Sequence, residues 1–130
     1  MSVPNYQQTY LNVRVETSSP GELTLILYEE FYKKLLVSKK LLGDKTSTEL
    51  MRQQIFKAKE ILNELMITLN MDYEISQNLY DLYVYYNKRL ADFLIQQDLT
   101  ILDEVIEFGY LMVDTWKAAL KSLKTGNVQK

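Results

Sequence analysis

From Gly21 onward the chain has few places to break. Four glycines and two prolines occur in 130 residues, and both prolines, Pro4 and Pro20, come before that point. Proline removes a backbone donor and glycine costs about 1 kcal/mol in a helix interior, so a chain this poor in both favours long uninterrupted helices. The apolar residues that follow recur at helical rather than strand spacing.

Ser19-Pro20-Gly21-Glu22 has the pattern of a helix start: a capping serine, proline at the first helical position, and glutamate placed to close a capping box. Leu23, Leu27, Phe31, Leu35 and Leu42 then mark a core stripe that should stop at Gly43. Thr46-Ser47-Thr48-Glu49 suggests a second box, followed by Met51, Ile55, Ala58, Leu62, Leu65 and Leu69 and an end near Asn70 to Asp72. A third stripe, Ile75, Leu79, Leu82, Tyr86, Leu90 and Phe93, ends near Gln97. Asp98 or Thr100 caps a fourth helix carrying Leu102, Val105, Met112, Trp116, Ala119 and Leu123, which Gly126 stops. Four such helices with short loops predict an all-α, antiparallel up-down-up-down four-helix bundle.

Residues 1–17 read as a separate arm, 18–125 as the bundle and 126–130 as a tail. In the arm Tyr6, Tyr10 and Val13 follow i, i+4, i+7 spacing. A helix that short is unstable alone, so it is expected to dock on spare apolar surface.

Composition removes whole classes of chemistry. Histidine and cysteine are absent, which excludes imidazole bases, thiolates and zinc–cysteine sites. No glycine-rich loop could cradle a phosphate. No catalytic residue, metal site or cofactor is expected. A net charge of −2 leaves no electrostatic footprint for nucleic acid. The polar N-terminus lacks a signal-peptide core, and no apolar run is long enough to span a bilayer, so a soluble, cytoplasmic protein without membrane insertion is expected.

The helices carry more apolar surface than one bundle-facing stripe of about 100° requires. On the third helix Tyr73, Tyr80, Val84, Ala91 and Ile95 form a second line. Leu25, Tyr32 and Leu36 do so on the first, widened on its other side by Ile26 and Val37. Phe56 and Ile67 share a face of the second opposite its core stripe. A stripe with two aromatic rings reaches a few hundred Å², the scale at which exposed patches signal interaction, and grooves so lined suit an apolar helical partner. The acidic residues Asp103, Glu104 and Glu107, the pair Glu29-Glu30, and Lys33-Lys34 with Lys39-Lys40 read as solvated faces. Gly109 lies on the core side of the fourth helix, where close packing or room for a ring such as Trp116 would explain it. Trp116 is expected in the core.

Tyr10, Val15, Thr17, Ser19, Pro20, Glu22, Leu23 and Leu27-Tyr28 form a pattern that resembles the FliS family of flagellar secretion chaperones. The family pattern has Ala where this chain has Ser18, and Asp-Gly where it has Glu29-Glu30. Further matches are Ile61-Leu62-Asn63-Glu64-Leu65 with Leu69, Leu79-Tyr80-Asp81-Leu82-Tyr83, and Trp116-Lys117, so the resemblance runs from about residue 6 to 120. It implies a cytoplasmic chaperone that binds the disordered C-terminal segment of flagellin in hydrophobic grooves. It also implies masking of that segment before export and an N-terminal arm that covers part of the surface. Tyr6, Tyr10, Val13 and Val15 of the arm and Leu25, Tyr32, Leu36, Phe56, Ile67, Tyr73, Tyr80, Val84 and Ile95 of the bundle are the expected partner-binding residues. Other flagellar export or regulatory proteins are further candidate partners, and a homodimer is left open.

Overall fold

The computed structural model describes residues 6–124. They form five α-helices and one 3₁₀ turn, with no strand among the described residues. The helices are α1 (Tyr6–Thr17), α2 (Pro20–Leu41), α3 (Thr48–Thr68), α4 (Glu74–Gln96) and α5 (Leu99–Lys124), and the 3₁₀ turn is Lys45–Ser47. The expected stop at Gly126 and the 126–130 tail lie outside the described residues.

Local chemistry sets the ends. Ser19 Oγ accepts from the Glu22 amide at 3.3 Å and Glu22 Oε1 accepts from the Ser19 amide at 3.0 Å. The bond from the Ser19 amide, followed by those from the Ser19 hydroxyl and Lys124, holds the Glu22 carboxyl below its ordinary pKa. The box satisfies two of the donors a helix start leaves open. α2 ends where expected, with Gly43 at φ +95, a conformation that suits glycine. The start of α3 differs from expectation. Ser47 makes no side-chain cap, and Asp44 organises the turn instead, accepting from the Thr46 amide at 3.1 Å and the Ser47 hydroxyl at 3.0 Å. Asp98 rather than Thr100 caps α5, accepting from the Thr100 amide at 2.9 Å. Gln97 at φ 50 and Asp98 are all that joins α4 to α5.

Four helices close a ring: α2 packs on α3 and α5, and α4 packs on α3 and α5. Residue numbers run in opposite senses along the α2/α5 seam. Lys39 meets Asp103 at 2.9 Å, Tyr32 meets Tyr110, and the Trp116 indole donates to the Gly21 carbonyl at 2.8 Å. The α3 stripe Met51, Ile55, Ala58, Leu62 and Leu65 is buried as the spacing predicts. Each such aliphatic side chain removed from water contributes about 1.5–3 kcal/mol.

Elsewhere the core line is rotated from the predicted one. On α4, Ile75 and Leu82 are exposed, and Ser76, Tyr83, Leu90 and Phe93 are buried, with Leu79 and Tyr86 partly so. Tyr83 can turn inward because its hydroxyl hydrogen-bonds that of buried Tyr28. A paired buried hydroxyl avoids the desolvation cost of a lone one. Ile26 is core rather than flank, and Val37 is exposed. On α5 the core is Ile101, Leu102, Val105 and Phe108, while Ala119 and Leu123 face outward. Trp116 is only partly buried, edge-on to Tyr28. Gly109 makes room for rings of α2, not for Trp116. A Cβ there would stand 3.3 Å from Tyr32 Cδ1 and 3.4 Å from Phe31 Cδ2.

Candidate functional site

Part of the surplus apolar surface lies at two opposite seams of the ring. At the α3/α4 seam Asn63, Met66, Ile67 and Tyr80 line an open groove of about 560 Å³. Ile67 points outward because it lies opposite the α3 core stripe, and it is 78% exposed. A polar clasp closes the groove at one end. Asn87 Nδ2 donates to Asn63 Oδ1 at 3.0 Å, and Lys59 Nζ donates to the Asn87 carbonyl at 3.0 Å and to its side-chain oxygen. Partial burial pulls the Lys59 ammonium pKa down, since a charge loses hydration there.

At the α2/α5 seam Tyr32 and Leu36 meet Tyr110 and Val113 around a groove of about 500 Å³. The Tyr32 and Tyr110 rings stand 6.1 Å apart at 56°. Leu25 lies in the adjoining trough, of about 480 Å³, with Leu120, Arg14, Lys117, Lys121 and Lys124. This side of the molecule therefore offers apolar floors between charged walls, in which lysines and Arg14 stand beside Glu22, Glu29 and Glu30.

α1 runs beside the same seam. Arg14 Nη1 is 2.9 Å from Glu29 Oε1, and that carboxylate oxygen is buried without a hydrogen bond among the described residues, so the contact rests on charge. Tyr10 and Leu11 face Glu30, Lys33 and Lys34 across a hollow of about 320 Å³. The expectation that the arm docks on spare apolar surface through Tyr10 and Val13 is corrected here. Tyr10, Val13 and Val15 are exposed, and an ion pair anchors the helix instead. The Tyr6 side chain lies outside the described residues.

Tyr73 enters neither groove. It lines a crevice of about 210 Å³ at the end of the ring, whose walls include Trp116 and the Tyr28–Tyr83 pair. Burial pushes both phenols above the ordinary tyrosine pKa. Phe56, Val84 and Ile95 are exposed away from these two grooves and the crevice, and Phe56 lies under the Arg52 guanidinium at 5.7 Å. The sequence reading missed Tyr110, Val113, Leu120 and Met66. Tyr110 and Val113 are three residues apart and off the predicted α5 stripe, a signal of the kind used for the other helices.

The charged clusters are paired rather than merely solvated. Glu104 accepts from Tyr85 at 2.6 Å and from Arg89 Nε at 3.0 Å, bonds that lower its carboxyl pKa. Asp103 bridges to Lys39, and Glu30 to Lys33 and Lys34. These links brace seams and turns. The grooves themselves present rings and aliphatic chains between charged rims, a surface for binding.

The profile of a family described as flagellar protein FliS matches residues 2–123. A similar protein is the flagellar secretion chaperone FliS of Bacillus subtilis strain 168, 32% identical over 122 residues, covering 94% of this chain and 91% of that one. Among the described residues no helix is long and apolar enough to cross a membrane. Matched from end to end on a helical ring with oily seams, the chain belongs to the FliS family of flagellar proteins.

Proposed function

We propose that this protein is a cytoplasmic export chaperone for flagellin. It holds the disordered C-terminal segment of flagellin, keeps it from polymerising early, and assists its delivery to the flagellar export apparatus. The observation that carries the reading is the pair of apolar grooves on opposite seams of one small ring, Ile67 with Tyr80 and Tyr32 with Leu36. The name of the Bacillus relative, a flagellar secretion chaperone, supports it. The opposed numbering along the α2/α5 seam and the short connections support an antiparallel up-down-up-down bundle over residues 18–125, with residues 1–17 as the arm.

A client that folds on binding loses about 2–5 kcal/mol to ordering. At roughly 25 cal/mol per Å², burying about 200 Å² of apolar surface offsets the upper figure. Neither groove alone supplies that area on the protein's side, but a segment spanning both, with its own apolar face buried in turn, reaches it. Leu25 extends the α2/α5 groove toward a charged wall. Tyr73 receives client at the end of the ring. The arm, with Arg14 at the edge of the α2/α5 groove, acts as an intramolecular competitor by occupying that edge and lowers apparent affinity by the fraction of time it does so.

The test mixes the full chain with a peptide from a flagellin C-terminus. A stoichiometric complex by calorimetry, with a gain in helix by circular dichroism, is expected. Tyr80→Asp and Ile67→Asp should weaken it about tenfold or more while the bundle stays helical. No complex, or unchanged affinity in both variants, overturns the reading.

A further inference from the structure

We infer that the crevice at the end of the ring is a binding site for a small neutral aryl alcohol, a molecule of the phenol class. Its volume is about 210 Å³. An apolar cavity of about 150 Å³ suffices for benzene, so this one suits a single substituted ring and is too small for a helix. Rings and aliphatic chains make up much of the wall, with Tyr28, Tyr83 and Trp116 beside Leu65, Leu69 and Leu79. A flat aromatic guest finds edges and faces to pack against there.

The polar groups of the wall define the substituent. The Tyr28 and Tyr83 hydroxyls share a single hydrogen bond, and each residue is 1% exposed. Two hydroxyls carry two protons, and one bond uses only one of them. Whichever tyrosine donates, its partner's proton has no acceptor among the described residues, in a place where an unmet donor is costly. Both tyrosines line the crevice, so a guest oxygen held there can take that proton.

Other hydroxyls of the wall have already spent theirs. Thr24 donates to the Pro20 carbonyl at 3.2 Å, Thr68 to the Leu65 carbonyl at 3.1 Å and Ser76 to the Asn70 carbonyl at 2.6 Å. Their oxygens keep lone pairs and can only accept. A guest hydroxyl serves both sides, accepting from the buried tyrosine and donating to a wall oxygen. No Asp, Glu, Lys or Arg lines the crevice among the described residues, so a charged guest would lose its hydration uncompensated. The inference rests on the crevice alone and does not depend on the chaperone reading.

Trp116 is the only tryptophan of the chain and lines the crevice, so its emission reports occupancy. With the full chain, p-cresol should shift that emission saturably and bind one per chain by calorimetry. Toluene, which lacks the hydroxyl, should bind at least fivefold more weakly, and p-toluate, which is charged, at least tenfold more weakly. The double variant Tyr28→Phe with Tyr83→Phe has no buried proton to offer, and in it p-cresol should lose its advantage over toluene. Thr24→Phe places a ring in the crevice and should abolish the p-cresol signal. Circular dichroism separates lost binding from lost fold, and the three probes on the unaltered chain need no variant. Absence of a saturable shift overturns the inference, as does equal binding of p-cresol and p-toluate. So does a preference for p-cresol that survives in the double Phe variant, or undiminished binding to a folded Thr24→Phe chain.

Discussion

Removing one hydroxyl from the Tyr28–Tyr83 pair should cost more than removing both. The two side chains are each 1% exposed, and each hydroxyl has the other as its partner in the core. Tyr83→Phe keeps the ring and its packing but strands the Tyr28 hydroxyl. A stranded buried hydroxyl costs about 1–3 kcal/mol. The crevice of about 210 Å³ against which both residues lie has some hydroxyl and amide groups among its walls and room for water, which places the cost in the lower half, about 1–2 kcal/mol. For a chain of 130 residues that is a drop of roughly 3–8 °C in Tm. Tyr28→Phe should behave alike. The double variant strands nothing and should fall within about 0.5 kcal/mol of the parent, giving a strongly non-additive cycle. Urea unfolding followed by far-ultraviolet circular dichroism measures all four corners, with Tyr73→Phe, an exposed phenol, as a control expected near zero. A double variant as unstable as the sum of the singles, or singles each below about 0.3 kcal/mol, would refute the argument.

The same pair predicts an alkaline limit. Both phenols have raised pKa values in the folded state, so between the ordinary tyrosine pKa of about 10 and those raised values the folded chain holds protons the unfolded chain has lost. Their contribution is therefore complete below about pH 10 and declines above it, by up to about 1.4 kcal/mol per pH unit for each phenol. Denaturant midpoints should be flat with respect to these groups from pH 7 to 9 and fall above 10 in the parent, and fall less steeply in the double Phe variant. At Gly109 a larger side chain meets the Phe31 and Tyr32 rings at 3.3–3.4 Å from its first carbon. Gly109→Leu gains about 1 kcal/mol of helix propensity but overpacks by more. A net loss of about 1–2 kcal/mol in urea is expected, and an unchanged midpoint would mean the rings yield freely.

Punctuation was legible because it is local. The Ser19–Glu22 box and Gly43 depend on neighbours within four residues, and both stand where the spacing puts them. The α3 core line was legible because its opposite face is mostly polar. On α4 apolar residues surround much of the helix, and periodicity alone cannot choose between adjacent lines. There Tyr83 displaced Leu82 because a hydroxyl 55 positions away satisfies it, a fact no window of sequence contains. The same limit governs the binding surface. Exposure of Ile67, Tyr80, Val84 and Ile95 followed from helical angles, but which of them share a groove depends on which helices become neighbours. The spacing of Tyr110 and Val113 marks a second α5 line, but that it faces Tyr32 and Leu36 depends on α2 lying beside it. The arm misled for a related reason: its apolar spacing is real, yet Arg14 found a stronger anchor in a half-sheltered carboxylate.

The two-residue corner at Gln97 and Asp98 leaves no slack between the last two helices. At that rim the two stay together, and a single five-residue connection, 69–73, ties the pair to α3. Yielding of the molecule is thereby pushed to the far rim, where Trp116 and Tyr73 stand over the crevice. An incoming strand of protein would pry there first, and the opposite rim would serve as its fixed stop.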